Sequence, residues 1–263
     1  MDISWMDANQ MLPRPRHRVS GNAGHRPSVI ASPKVSGIVF EMAGVLYDDT
    51  VWQRWLLQLL SRIGLHTQYQ PFFRLLETEH LPSVYCGHRT LWDALRDYFY
   101  SLGLSKGQVV EIEAAAVTRR KQYDREIRPI PGVISTLAQI SALGTRMAVI
   151  TNSSESAAEL LEKLSRWGVS ERFEVVVSSR ELGFAMPAPE CYQAVLNRLT
   201  LPASEMLFVS ADSAHLAGAR RVGLATAAVL CTASNPDFSL DRLNGLLAIL
   251  RPVSMLKASS CAA

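Results

Sequence analysis

The hydrophobic residues of this chain follow two patterns that predict different elements. Five short, continuously apolar runs flanked by polar or turn residues predict buried β-strands. These runs are GIVFE (37–41), RMAVIT (146–151), FEVVVS (173–178), MLFVS (206–210) and LATAAVL (224–230). Segments with helical periodicity separate the last four, at 154–168, 188–199 and 214–223. Strand–helix–strand units of this size need right-handed crossovers, so the pattern predicts an α/β fold with a parallel sheet.

The stretch between the first and second predicted strands has a different character. Residues 50–128 contain several segments with helical periodicity and no convincing strand. This is more chain than one crossover connection needs, so we interpret it as a small all-helical domain inserted between two strands. Its aromatic residues, including Trp52, Trp55 and Trp92, are expected to pack in its interior or against the sheet.

The domain boundaries follow from these patterns. We assign 35–49 and 129–250 to the α/β core and 50–128 to the helical insert. Two prolines in RPIPGV (128–133) mark the return of the chain to the core, before a predicted helix over 133–143.

The two ends of the chain are predicted from composition and periodicity. An amphipathic pattern over 238–250 predicts a closing helix, followed by a tail over 251–263. Residues 1–34 are polar, contain Pro and Gly and show no periodicity, which predicts a disordered leader. Much of the basic character lies in RPRHR (14–18), which we interpret as part of a solvated tail; an anion-binding arm is the alternative.

Composition excludes several classes of function. The formal net charge of +3 is too small to indicate nucleic acid as a partner. No window reaches the roughly 18 apolar residues of a membrane span, and the N-terminus lacks the apolar stretch of a signal peptide. The four cysteines have no metal-ligand spacing and are expected to be reduced thiols, with Cys191 in the core. We therefore expect a soluble, cytoplasmic protein that binds no membrane.

The candidate chemistry lies at the carboxyl ends of the strands, where ligands bind in open α/β sheets. The residues of interest there are Glu41, Ala43, Thr151, Asn152, Ser153, Met186, Ala211, Asp212 and His215. Thr151, Asn152 and Ser153 lie where a strand runs into a helix, so their hydroxyls and backbone N–H groups are candidates to hold a small anion. The alternative is that Ser153 caps a helix over 154–167.

Four sequence blocks carry a family resemblance. They are IVFEMAGVLYD (38–48), VITNSS (149–154), GFAMPAPECY (183–192) and LFVSADSAHLAGARRVGL (207–224). In their order, and with a helical insert after the first strand, they resemble the haloacid dehalogenase-like (HAD) hydrolase superfamily in its helical-cap branch. The resemblance covers about residues 35–230. It implies a Rossmann-like parallel sheet core with an inserted all-helical cap domain.

The resemblance also implies roles for the strand-end positions, most of which are altered here. The family positions fall at Glu41 for the nucleophilic aspartate, Ala43 for the second acid, Thr151 for the Thr or Ser of the second motif, Met186 for the lysine, and Ala211 and His215 for the acids that hold magnesium. Only Thr151 keeps the family's residue, so the catalytic motifs are degenerate.

These replacements weaken the family's phosphoryl-transfer chemistry at each step. The extra methylene of Glu41 moves the attacking oxygen by on the order of 1 Å, which costs about 10²-fold. Ala43 cannot donate a proton, and a missing general acid costs roughly 10²–10⁴-fold. Met186 offers no charge, Ala211 cannot bind a metal, and a neutral His215 is a poor ligand for magnesium. The sequence favours a pseudoenzyme whose cleft binds a small anionic ligand or a protein partner, without a cofactor.

Two alternatives stay open. The first is an active hydrolase for a small phosphorylated or halogenated substrate, with Glu41 as nucleophile or base and Asp212 as a weak candidate for a magnesium ligand. Against this, Asp212 is expected to cap the helix that begins near Ala214, and Asp49 the helix that begins near Thr50. Glu41 is then a strand-end acid paired with a neighbouring base. The second alternative is a scaffold that uses an exposed apolar face in VWQRWLLQLL (51–60).

Overall fold

Six strands form one parallel sheet in the computed structural model, which describes residues 35–231 and 235–250. The strands are β1 (Gly37–Glu41), β2 (Arg146–Thr151), β3 (Val175–Ser178), β4 (Met206–Ser210), β5 (Ala225–Val229) and β6 (Phe238–Leu240). Their order across the sheet is β3-β2-β1-β4-β5-β6, and every neighbouring pair is parallel. The α/β prediction is confirmed, and β1 lies in the interior of the sheet between β2 and β4.

Helices cover the sheet and fill the long connection after β1. That connection holds α1 (Thr50–Arg62), α2 (Tyr69–Leu75), a π-helical turn (Leu76–His80), α3 (Pro82–Tyr85), α4 (Leu91–Ser101) and α5 (Lys106–Glu126). The later helices are α6 (Val133–Ala142), α7 (Ala157–Arg166), α8 (Ser179–Leu182), α9 (Pro189–Leu199), α10 (Ser213–Arg221) and α11 (Leu246–Leu250). Short 3₁₀ turns lie at Ser170–Arg172, Ala203–Glu205 and Leu243–Gly245. That the segment 50–128 is a separate domain stays a prediction.

The strands are continuously apolar because both faces of the sheet are covered. In β1, Ile38 and Phe40 belong to one buried cluster, whereas Val39 belongs to the cluster on the other side. The first cluster continues into the helices of the 50–126 segment, and the second packs under α9 and α10. A strand buried on both faces needs no polar alternation, which is why the apolar runs located the strands correctly.

The predicted closing helix over 238–250 is wrong for its first half. Residues 238–240 form β6 and pair with Ala227, Ala228 and Val229 of β5. Helical structure begins only at the 3₁₀ turn Leu243–Gly245 and continues as α11. The unpaired edge of β5 offers backbone hydrogen bonds that outweigh the weak helical periodicity of this stretch. The predicted leader 1–34 and tail 251–263 lie outside the described residues.

The two places where the chain crosses between the sheet and the 50–126 segment are bonded to one another. Leu46 O accepts a hydrogen bond from Ile130 N at 2.9 Å, and Tyr47 forms a β-bridge with Pro129. The Tyr123 hydroxyl donates to the carbonyl of Asp48 at 2.7 Å. The connection that leads from β1 into the helices and the connection that leads back therefore lie side by side.

The described part of the chain contains no helix long and apolar enough to cross a membrane.

Candidate functional site

A cavity of about 830 Å³ lies at the carboxyl ends of β1, β2 and β4, beneath helices of the 50–126 segment. All but one of the strand-end residues predicted from the sequence line this cavity. The residues that line it are Glu41, Ala43, Asn152, Ser153, Met186, Ala211, Asp212 and His215, and the exception is Thr151. Thr151 is buried at the end of β2. The volume of the cavity is typical of small-molecule sites.

Glu41 is held by two neighbours at the floor of this cavity. It is only 7% exposed. Its Oε1 lies 2.9 Å from Nδ1 of His215, and its Oε2 accepts a short hydrogen bond from the hydroxyl of Ser210. Ser210 is brought there by the pairing of β1 with β4, in which Phe40 lies opposite Val209. Both carboxylate oxygens of Glu41 are therefore bonded within the protein.

His215, which occupies the family position of a magnesium-holding acid, lies against Glu41 in the structure. Burial lowers the pKa of His215, but the charge of Glu41 and the hydrogen bond to it, together with the charges of Asp212 and Glu77, outweigh burial and raise the pKa above its ordinary value. The expectation that Glu41 pairs with a neighbouring base is confirmed, and the base is His215.

Asn152 fixes the tautomer of neutral His215. Its Oδ1 accepts from Met186 N at 2.8 Å, and its Nδ2 donates to Met186 O at 2.9 Å. The amide orientation is thus set, and the same Nδ2 lies 3.4 Å from Nε2 of His215. Because Nδ2 is a donor, Nε2 of the neutral ring accepts and Nδ1 carries the proton that is donated to Glu41.

Asp212 caps α10 as predicted. Its Oδ1 accepts hydrogen bonds from Ala214 N at 2.7 Å and His215 N at 3.0 Å. Among residues 35–231 and 235–250, no three His, Cys, Asp or Glu side chains are grouped so that they could hold a metal ion. Both oxygens of Glu41 and Oδ1 of Asp212 are bonded within the protein, so the donor set that these two residues offer does not fit magnesium.

Two other capping predictions differ from the structure in different ways. α7 begins at Ala157, and its cap is Ser156, which forms a capping box with Glu159. Ser153 instead accepts from Glu155 N through its hydroxyl at 3.0 Å. For α1, Asp49 is the N-cap residue as predicted, but its side chain makes no capping hydrogen bond.

Asp48 replaces Asp49 as the acid that binds the first turn of α1. Its Oδ1 accepts from the backbone N–H of Thr50 at 2.9 Å. This leaves the Asp49 side chain among the residues that line the cavity, where burial raises its pKa and the charges of Asp48 and Glu41 add to the effect.

The backbone of the Thr151–Ser153 turn is partly used within the protein. Ser153 N donates to Ser179 Oγ at 3.1 Å, and the Thr151 hydroxyl lies 3.5 Å from the carbonyl of Asn152. That these three residues bind a small anion stays a prediction.

A buried lysine is the main site residue that the sequence did not reveal. Lys163 lines the cavity from α7, is 2% exposed, and donates to Glu155 Oε2 at 2.8 Å. Its Nζ also lies 5.5 Å from the centre of the Tyr47 ring. The available signal was its position three residues after Leu160, on the buried stripe of the helix.

The tryptophans of α1 pack inward as expected. Trp52 is buried and Trp55 is half-buried, and their rings make an edge-to-face contact at 5.7 Å. This packing disfavours the interpretation of α1 as an exposed apolar scaffold face.

Comparison with known proteins gives a consistent result. Residues 84–229, more than half of the chain, match the profile of the family described as haloacid dehalogenase-like hydrolase. The pyrophosphatase PpaX of Bacillus thuringiensis (strain Al Hakam) is 25% identical over 226 residues, which cover 82% of this chain and 97% of that protein.

Solved structures show the same fold. The L-2-haloacid dehalogenase of Xanthobacter autotrophicus superposes with a TM-score of 0.61 at 20% identity, over 83% of this chain and 99% of that one. A predicted phosphoglycolate phosphatase of Haemophilus somnus 129PT gives a TM-score of 0.63 at 17% identity, with the same coverage.

Proposed function

The chain belongs to the haloacid dehalogenase-like hydrolase family, and we propose that it is a catalytically degenerate pseudoenzyme whose cavity binds a ligand or a protein partner. The observation that carries this proposal is the bonding of Glu41. Both of its oxygens are held, by Ser210 and His215, where the family's nucleophile needs a free oxygen facing the substrate.

The neighbouring positions support the same conclusion. Phosphoryl transfer depends on charge neutralisation around the reacting phosphate, because the nucleophile and the substrate are both anions. Ala43, Met186 and Ala211 line the cavity and carry no charge. The donor set does not fit magnesium, and the basic residues Lys163 and Arg120 on the cavity wall are paired with Glu155 and Asp124.

The location is part of the proposal. Cys86 and Cys191 are free thiols, as is usual in the reducing cytoplasm. We propose a cytoplasmic protein that binds neither nucleic acid nor membranes.

The direct test is hydrolysis of p-nitrophenyl phosphate by the full chain in the presence of magnesium. We expect no turnover above that of the Glu41→Gln variant, with Glu79→Gln as a control at an exposed acid outside the cavity. Magnesium-dependent turnover that disappears in Glu41→Gln but persists in Glu79→Gln would overturn the proposal.

A complementary test restores the family's residues. The combined replacement of Glu41 by Asp, Ala43 by Asp, Met186 by Lys, Ala211 by Asp and His215 by Asp returns the acids and the lysine of the family motifs. We expect this variant to gain magnesium-dependent hydrolysis if the fold is otherwise competent. A restored variant no more active than the natural chain would show that other features also prevent turnover.

The second candidate is an active hydrolase with a rebuilt site, and the Glu41–His215 pair favours it. A carboxylate on Nδ1 of a histidine leaves Nε2 as the acceptor, which becomes the arrangement of a general base when a water molecule replaces the Asn152 amide, 3.4 Å away, as its partner. Its substrate would be small and phosphorylated or halogenated. In this case His215→Gln lowers turnover by roughly 10²–10⁴-fold. A pH–rate profile whose lower limb vanishes in His215→Gln would favour this candidate over the pseudoenzyme.

A further inference from the structure

We propose that the cavity binds a neutral, largely apolar small molecule with an aromatic body, and that it selects against phosphates and carboxylates. This inference rests on the proposed function, because it names the chemical class of ligand that the non-catalytic cavity binds. It follows from three observations: the pairing of the basic side chains on the wall, the apolar groups at the altered family positions, and an exposed aromatic side chain that lines the cavity.

The basic side chains on the cavity wall are each paired with an acid, within the part of the chain that the structure describes. The pairs are Lys163–Glu155 at 2.8 Å, Arg120–Asp124 at 3.3 Å and His215–Glu41 at 2.9 Å. An anionic ligand would have to compete with these carboxylates for the same cations. Because a charge that leaves water without a partner is strongly disfavoured, the wall selects against an anion.

The acids on the wall do not select for a cation either. Glu41 and Glu155 belong to the pairs just described, and Oδ1 of Asp212 caps α10. Burial raises the pKa of Asp49, which favours the uncharged form of this carboxyl group. Glu77 is exposed to solvent, where water and salt screen its charge. A neutral ligand avoids the cost of burying a charge in this cavity.

Apolar side chains occupy the positions where the family resemblance places charged ones. Ala43, Met186 and Ala211 line the cavity and present only methyl and thioether groups. Ala43 and Ala211 are half-buried, so part of each side chain is accessible. This side of the cavity therefore offers apolar surface where the family's chemistry needs charge.

The opposite side adds accessible aromatic and aliphatic surface. Tyr85, at the end of α3, and Leu91, at the start of α4, are half-buried and line the cavity. Phe184 also lines it and is 47% exposed. A large aromatic side chain in contact with water costs free energy, which a ligand that covers it recovers. A body of two fused rings fits within the volume of about 830 Å³.

The test compares three probes with the same aromatic body by isothermal titration calorimetry on the full chain near neutral pH. 1-Naphthaleneacetamide is neutral, 1-naphthaleneacetate is an anion, and 2-(1-naphthyl)ethylammonium is a cation. We expect the amide to bind more tightly than both ions, by about tenfold or more, because only the ions carry a charge into the cavity. An ion that binds as tightly as the amide, or an amide that does not bind, would overturn the inference.

A matched pair of variants locates the amide. Phe184→Ala removes aromatic surface from the cavity wall and is expected to weaken amide binding about fivefold. The control Leu143→Ala removes a side chain that is 44% exposed and does not line the cavity, so it should leave the affinity unchanged. Both side chains are exposed, so neither replacement should prevent folding. Equal effects of the two variants would place the amide elsewhere and overturn the inference.

A second pair tests whether the wall charge sets the preference. Met186→Lys adds a cation to the cavity wall and is expected to raise the affinity for the acetate about fivefold or more. The control Leu161→Lys adds the same charge at an exposed position of α7 that does not line the cavity, and it should leave this affinity unchanged. Equal acetate affinity in the two variants would overturn the inference. Phe184→Ala keeps the test decisive if Met186→Lys does not fold.

Hydrolysis of p-nitrophenyl phosphate separates failure of this inference from failure of the proposed function. If the acetate binds more tightly than the amide and the phosphate ester is not hydrolysed, the neutral-ligand inference is wrong, while the non-catalytic cavity stands. If the protein hydrolyses the ester with magnesium and Glu41→Gln abolishes the turnover, the proposed function itself is wrong.

Discussion

Replacing Glu41 by Ala distinguishes a structural acid from a catalytic one. Glu41 is 7% exposed and accepts hydrogen bonds from Ser210 and His215. Hydrogen bonds to a charged group contribute about 1.5–3 kcal/mol each, and contributions within one network are not additive. We therefore expect Glu41→Ala to lower the free energy of unfolding by about 3 kcal/mol.

The expected sign is the informative part of this prediction. A catalytic carboxylate kept in a site that disfavours its charge is a source of instability, and removing it often stabilises the protein. A carboxylate whose two oxygens are both bonded within the protein stabilises the fold, and removing it leaves the Ser210 hydroxyl and the His215 ring without their acceptor.

Urea denaturation monitored by circular dichroism provides the measurement. The set comprises the natural chain, Glu41→Ala, His215→Gln and the double variant, at pH 6 and pH 8.5. We expect a coupling free energy of about 1–2 kcal/mol between Glu41 and His215, larger at pH 6, where the imidazole is charged. Equal or greater stability of Glu41→Ala, with no coupling at either pH, would refute the reasoning.

Three further predictions concern the surroundings of the site. Because the pKa of His215 is raised on folding, its contribution to stability is full below about pH 6.5 and is lost as the pH rises through the folded value. His215→Gln should accordingly flatten the fall in urea midpoint between pH 6 and pH 8.5; an unchanged slope would contradict this. Lys163→Met should lower the free energy of unfolding by about 2–3 kcal/mol. This is less than the roughly 3–5 kcal/mol lost when a fully buried pair is broken, because the partner Glu155 stays 21% exposed. Thermal denaturation measures the change, and an unchanged stability would be inconsistent with the pairing. Gly218→Ala should lower the free energy of unfolding by about 1–3 kcal/mol, because the added Cβ would meet the backbone oxygen of Pro187 at 2.8 Å. The control Gly107→Ala has open space around it and should raise the free energy of unfolding by about 0.5–1 kcal/mol. Equal urea midpoints for the two variants would refute the steric argument.

The sheet was predictable because burial on both faces leaves a simple record in the sequence. Each of the five predicted strands is present. The largest error in a strand end is two residues, at the start of β3. The order of the motifs predicted which strand ends meet at one edge, since carboxyl ends of parallel strands share an edge. The sixth strand was missed because β6 has only three residues, and its pairing with β5 is tertiary information.

The contacts inside the site were not predictable from the sequence for a related reason. Glu41 and His215 are 174 residues apart, and their contact depends on where α10 begins relative to the end of β1. The side chains that bind the first turns of the helices were mispredicted for the same reason. Asp48 and Asp49 are adjacent and chemically alike, so only the path of the backbone decides which one binds the first turn of α1 and which one faces the cavity.

The bonded crossings at Leu46–Tyr47 and Pro129–Ile130 join the two connections between the sheet and the 50–126 segment. Because the outgoing and returning chains are hydrogen-bonded side by side, the two connections form one two-stranded link instead of two independent tethers. The helices of this segment also share one buried apolar cluster with β1. We therefore expect any movement of these helices relative to the sheet to bend both connections together and to expose part of that cluster.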